Sequence, residues 1–92
     1  MSKQGTRPAI VAGLANSMII VLPLTTNLAS ARFSHTHSIS PTSQNGLDNV
    51  SIALVFQIVT LDPVRIRGRI GSINESDRQA INSLLVDVLK LD

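Results

Sequence analysis

No cysteine, tryptophan or tyrosine occurs in the 92 residues of this chain, and phenylalanine appears only at Phe33 and Phe56. Without thiols there is neither a disulfide framework nor a thiolate metal site, an inventory that fits a reducing cytosol. Two rings far apart in sequence do not make the stacking platform of many single-strand binders, so any reading of a base is expected to use hydrogen bonds. Charge is sparse as well. Asp, Glu, Lys and Arg make up 15% of the residues for a net charge of +2, so the placement of the arginines matters more than their sum. Long unbroken apolar runs are missing too. Lys3 and Arg7, the stretch from Pro8 to Leu24 and then Ala29-Ser30-Ala31 imitate a secretory leader, which would make this a small exported protein. Against that, Pro8, Gly13, Asn16, Ser17 and Pro23 interrupt the stretch, and nothing approaches the roughly 20 apolar residues that span a bilayer. Ile10-Val11 and Ile19-Ile20-Val21 are β-branched, and the stretch reads as two strands joined by a turn, with no membrane segment.

What is present is apolar: 43% of the residues are hydrophobic. A chain this short forms one domain with a modest core, and so much apolar material beside so little charge predicts that a second subunit covers part of it. Arg7 to Ala12 is the first expected strand, Gly13 to Asn16 the turn, and Met18 to about Thr25 the second strand; both strands are apolar on two faces, as in a small closed barrel. Pro23 belongs near a strand end or a bulge because it donates no ladder bond. A short strand is expected around Phe33 to Ile39, then an exposed loop over Pro41 to Asp48 with Asn45-Gly46 as its turn, bordering a groove. Val50 to Val59 is the longest strand candidate, with Ile52, Leu54, Phe56 and Ile58 on one face. A turn near Asp62-Pro63 leads to a last strand over Arg67 to Ile73, on which Arg65, Arg67 and Arg69 alternate and face one side. Asn74 caps a final helix with Asp77 in a variant capping box, and Ile81, Leu84, Leu85, Val88 and Leu89 form its core stripe.

Three segments carry a resemblance. Gln4-Gly5-Thr6-Arg7-Pro8 opens the first strand, Leu22-Pro23-Leu24-Thr25-Thr26-Asn27 closes the second, and Val55-Phe56-Gln57-Ile58-Val59-Thr60-Leu61-Asp62 is followed by Arg65. In this order they resemble the MazF/PemK family of toxin endoribonucleases. The resemblance implies a mainly β fold, a small SH3-like β-barrel of the MazF/PemK/CcdB type with a C-terminal α-helix. It implies one toxin domain over residues 1–92, a cytoplasmic homodimer that cleaves single-stranded mRNA without a metal or other cofactor, and an acidic antitoxin as partner. By the same resemblance Arg7 matches the catalytic arginine and Thr25 the hydroxyl residue that ends the next strand, with Gln4, Thr6, Thr26, Asn27, Gln57, Arg65, Arg67 and Arg69 along the RNA. The chain departs from the family pattern in two places. Leu54 and Phe56 stand where some members carry a basic and an acidic residue, and Met1 lies only six residues before Arg7, where members commonly have a further strand. Both departures favour the alternative of a catalytically inactive MazF/CcdB-like binding protein acting on a protein or nucleic-acid target.

Each candidate also has a structural reading. Arg7 can bond turn carbonyls or a carboxylate, and Thr25 can cap a strand end through the backbone. Gln57 can satisfy buried backbone groups. His35 and His37, two apart, would share one face of a strand as acid and base or as half of a metal site, or stand as exposed polar residues. Asp62 suits a turn and can pair with Arg65.

Overall fold

The computed structural model describes residues 8–66 and 68–90. β1 (Ala9–Ala15) and β2 (Met18–Thr25) form the expected hairpin, since β-branched runs on both sides of a short polar turn favour antiparallel pairing. The turn lies later than the sequence suggests. Asn16 and Ser17 both adopt positive φ, 50° and 70°, the two-residue geometry that matches strand twist, and asparagine tolerates it well. Gly13 does not turn the chain. The register instead shifts between Val11 and Gly13, so Ala12 is the extra residue of a bulge.

β2 is the spine of the sheet. It pairs with β1 on one side; on the other, Ile19–Val21 pair with β5 (Val59–Leu61) and Leu24–Thr25 with β4 (Ser51–Leu54). Pro23, with Leu22, sits between those two ladders, where neither of them needs its missing N–H. β3 (Thr36–Ile39) completes the order β1-β2-β4-β3, with β5 beside β2. All these pairings are antiparallel, and β2 passing from one ladder to the other gives the curled sheet expected of a small barrel.

The long strand expected from Val50 to Val59 is broken. After Leu54 the chain takes a 3-10 turn over Val55–Gln57, where the Val55 N–H leaves the ladder to donate to His35 O at 3.1 Å, and strand geometry resumes only at Val59. Alternating apolar residues could not foretell this, because the break buries Val55 completely against a helix from the far end of the chain. The strand expected over Arg67 to Ile73 is likewise absent from its described residues, 68–73.

α1 (Glu75–Leu89) closes one side of the sheet. Asn74 Oδ1 accepts from the Asp77 N–H at 2.7 Å, the cap expected, but the Asp77 carboxylate accepts from His37 Nε2 instead of returning to the cap. Ile81, Leu84, Leu85 and Val88 face the core, where they meet Leu22, Leu24, Ile39, Ala53 and Val55. Leu89, expected in that stripe, is 57% exposed. Glu75 is bonded by Arg78 and Gln79, which hold its carboxyl below the usual glutamate value. Among the described residues no helix is long and apolar enough to cross a membrane.

The loop before β4 is not the free rim its composition suggests. Asn45 is buried: its Oδ1 accepts from the N–H groups of Thr42 and Leu47, both at 3.0 Å, and its Nδ2 donates to Ser40 O at 2.9 Å. Residues 70–72 lie against it, with Ser72 N–H donating to Gln44 O at 2.7 Å. The approach requires glycine on both sides, since a Cβ on Gly46 would strike the Ile70 carbonyl and one on Gly71 the Gln44 carbonyl. Gly71→Ala is therefore expected to cost about 1–3 kcal/mol by overpacking against backbone that does not yield. Thermal unfolding reads the loss, and an unchanged midpoint would show that the two segments separate freely.

Candidate functional site

Thr25 ends β2 opposite Ile52 and is half-buried. Its Oγ1 accepts from the Asn27 N–H at 3.1 Å, and Asn27 Oδ1 accepts in turn from the Ala29 N–H at 3.1 Å, starting the 3-10 turn Leu28–Arg32. The backbone-bonded reading of Thr25 is thus correct, yet a hydroxyl that accepts one bond still has its own proton to donate. Asn27 is a cap, exposed beside exposed Thr26.

Two clefts meet at this strand end. The smaller, about 390 Å³, is lined by Pro8, Pro23, Thr25, Leu54, Gln57 and Val59. The larger, open and about 1990 Å³, shares Pro8 and Thr25 and is walled by Asp48, Arg65, Arg69 and Arg78. Gln57 is exposed at the end of its 3-10 turn, which corrects the expectation that it satisfies buried backbone groups and leaves its amide at the cleft wall with Thr25. Gln4, Thr6, Arg7 and Arg67 lie outside the described residues; Arg7 is covalently joined to Pro8, which lines both clefts.

The arginines reach the larger cleft by a different route from the alternating strand expected. Arg65 ends a 3-10 turn, Pro63–Arg65, that Asp62 caps by accepting from the Val64 N–H at 3.1 Å. Asp62 is a turn residue, as read, and among the described residues it makes no ion pair with Arg65. Arg69 is tied down by bonds to Gly71 O, at 3.3 Å, and to Ser72 Oγ. Arg78 was missed. It precedes Ile81 and Leu85 by three and seven residues on α1 and so lies, exposed, at the rim of their side of the helix, the spacing that would have found it. Arg78 is held by Glu75 through two bonds, at 3.1 and 3.2 Å, so Arg65 and Arg69 against one carboxylate, Asp48, make this wall favourable to an anion.

The two histidines are elsewhere. His35 has φ 59° and precedes β3, so it does not share strand parity with His37. His35 Nε2 bonds Asp87 Oδ2 at 2.7 Å and His37 Nε2 bonds Asp77 Oδ1 at 2.8 Å. Both carboxylates accept, which places a proton on each Nε2, and both bonds tie the β3 region to α1. Neither histidine lines a cleft, so acid–base chemistry at Thr25 gains nothing from them.

The family model for the PemK-like, MazF-like toxin of type II toxin-antitoxin systems matches residues 2–89. Among solved structures the fold is similar to that of the Mycobacterium tuberculosis toxin MazF-mt6, with a TM-score of 0.76 over 94% of this chain and 88% of that one. Identity over that match is 19%, so the likeness speaks for the fold: a mainly β, curled five-stranded sheet of the SH3-like barrel class with a C-terminal helix. No curated protein sequence matches the chain.

Proposed function

This chain belongs to the PemK-like, MazF-like toxins of type II toxin-antitoxin systems, and from that membership we propose that it is a metal-independent endoribonuclease acting on single-stranded mRNA. Supporting this reading is the position of Thr25, at the junction of two clefts that Pro8 also lines, the larger of them walled by Arg65 and Arg69. In the proposed reaction the 2′-oxygen of one nucleotide attacks its own 3′-phosphorus while the bond to the next 5′-oxygen breaks, leaving a 2′,3′-cyclic phosphate and a 5′-hydroxyl. The 2′-proton leaves as the new bond forms, and the departing oxygen takes one up. Arg7, charged at every working pH, stabilises the extra negative charge on phosphorus and assists the leaving oxygen. Thr25 donates its hydroxyl proton to a non-bridging oxygen and so positions the phosphate. Arg65, Arg67 and Arg69 hold flanking phosphates, and Gln4, Thr6, Thr26, Asn27 and Gln57 complete the groove. In the same proposal residues 1–92 are one toxin domain, paired as a cytoplasmic homodimer, and the antitoxin's acidic surface covers the arginine wall.

Discrete fragments ending in 2′,3′-cyclic phosphate, produced from a long RNA in EDTA, would establish the activity. Thr25→Val is expected to slow cutting about 10- to 100-fold, the worth of a hydrogen bond to a charged group, while Thr25→Ser stays within a few-fold of wild type. Equal rates for valine and serine would remove the hydroxyl from the reaction.

A second reading rests on two side chains. Half-buried Leu54 and exposed Phe56 put no titratable group where some relatives carry an acid and a base. RNA that stays intact while binding to the protein would favour a non-catalytic binder on the same fold.

A further inference from the structure

Phe33 and Phe56, the two aromatic residues of the chain, are distant in sequence but adjacent in the fold. Their ring centroids are 5.7 Å apart with planes inclined at 59°. Arg32 lays its guanidinium over the Phe33 ring, with Cζ 4.5 Å from the centroid. The tertiary contact thus joins two rings that the sequence keeps 23 positions apart. Both rings stay in contact with solvent, 43% and 38% exposed, although full burial of a large apolar side chain is worth about 1.5–3 kcal/mol. The Arg32 guanidinium makes no ion pair among the described residues; its Nη1 donates only to Ala29 O at 3.4 Å.

We propose that Arg32, Phe33 and Phe56 form a stacking site for one unpaired RNA base beside the Thr25 cleft. An exposed ring and a guanidinium plane both accept a base face-on, the guanidinium adds attraction for the neighbouring phosphate, and such stacking does not depend on which base is offered. Chain continuity places the site. Arg32 and Phe33 follow the 3-10 turn that Asn27 caps two residues after Thr25, and Phe56 directly precedes Gln57 on the wall of the smaller cleft. Arg32, Phe33 and Phe56 do not themselves line the clefts, but Leu54 and Gln57 on either side of Phe56 line the smaller one with Thr25. A base stacked there would extend that cleft, and RNA as the ligand rests on the nuclease reading above.

The test uses a fluorescein-labelled, 2′-O-methyl twelve-nucleotide strand, which the proposed reaction cannot cleave, and the same strand made abasic at each position in turn. Fluorescence anisotropy with the full chain should show one abasic position that weakens binding about tenfold, within the range for a base stacked on an aromatic side chain. Phe33→Leu and Phe56→Leu should each lose most of that difference while binding the abasic strand as wild type does. Phe33→Trp keeps a ring and adds the chain's sole tryptophan, whose fluorescence the intact strand should quench and the abasic strand should not. Base-independent binding by wild type, base dependence that survives both leucine variants, or binding without quenching overturns the platform. Cutting of unmodified RNA is scored separately. Base-dependent binding without cutting removes the nuclease reading and keeps the platform, whereas cutting without base-dependent binding does the reverse.

Discussion

Arg7→Ala protein is expected to cut RNA about 10²- to 10³-fold more slowly than wild type, the range seen when one donor to a developing oxyanion is removed. Its expression should no longer arrest growth. The expectation follows from what the reaction demands and what the clefts offer. A phosphorane carries more negative charge than the phosphodiester it comes from, so a fixed cation lowers the barrier more than it tightens substrate binding. Thr25 is neutral and supplies one proton. Arg65, Arg69 and Arg78 wall the larger cleft only, whereas Arg7 is bonded to Pro8, which lines that cleft and the smaller one shared with Thr25. The loss should therefore fall on kcat, with KM nearly unchanged. Arg7→Lys separates charge from shape. Lysine keeps the charge but not the planar fork, and is expected to recover only part of the rate. Cutting by Arg7→Ala at the wild-type rate, with the fold intact by circular dichroism, removes Arg7 from the mechanism.

Leu22→Ala should produce the largest loss of stability. Leu22 is fully buried, pairs with Ile10 across the hairpin and packs in the cluster that receives Ile81 of α1. Truncating such a residue costs about 2–5 kcal/mol, part for lost transfer energy and part for the cavity left behind. Against a typical total of 5–15 kcal/mol that is a large share. For a domain of this size it lowers the melting midpoint by roughly 10–30 °C. Val64→Ala, at a site 81% exposed, should move it by no more than a few degrees and serves as the control. Because Thr25 ends the strand that Leu22 anchors, Leu22→Ala loses cutting only as it unfolds; Arg7→Ala loses cutting while melting as wild type does. Melts of the two leucine and valine variants that coincide would show that β2 is not the spine of the core.

The hairpin, the helix and its asparagine cap were legible because each has a local cause: β-branched runs, an apolar period near 3.6 with its inward face from Ile81 to Val88, and a side chain three residues from the N–H it satisfies. Even there the turn fell late, since Gly13, the obvious breaker, is used for a bulge and Asn16 does the turning. Of the candidate site, Thr25 was legible as a strand-end hydroxyl and Gln57 as a polar residue among apolar neighbours. That both reach one cleft was not legible, because Gln57 arrives there through a 3-10 turn inside what reads as a continuous strand.

Alternation and spacing thus determined that this chain makes antiparallel strands followed by one capped helix, and the Gln-Gly-Thr-Arg-Pro turn pointed to its family. Only tertiary structure decided which polar and aromatic groups meet. Asp77 and Asp87 take up His37 and His35 from 40 and 52 residues away, and Phe33 finds Phe56 across the break in the long strand. Such pairs leave no local signature, because the free energy that selects them is the burial of the whole sheet against α1.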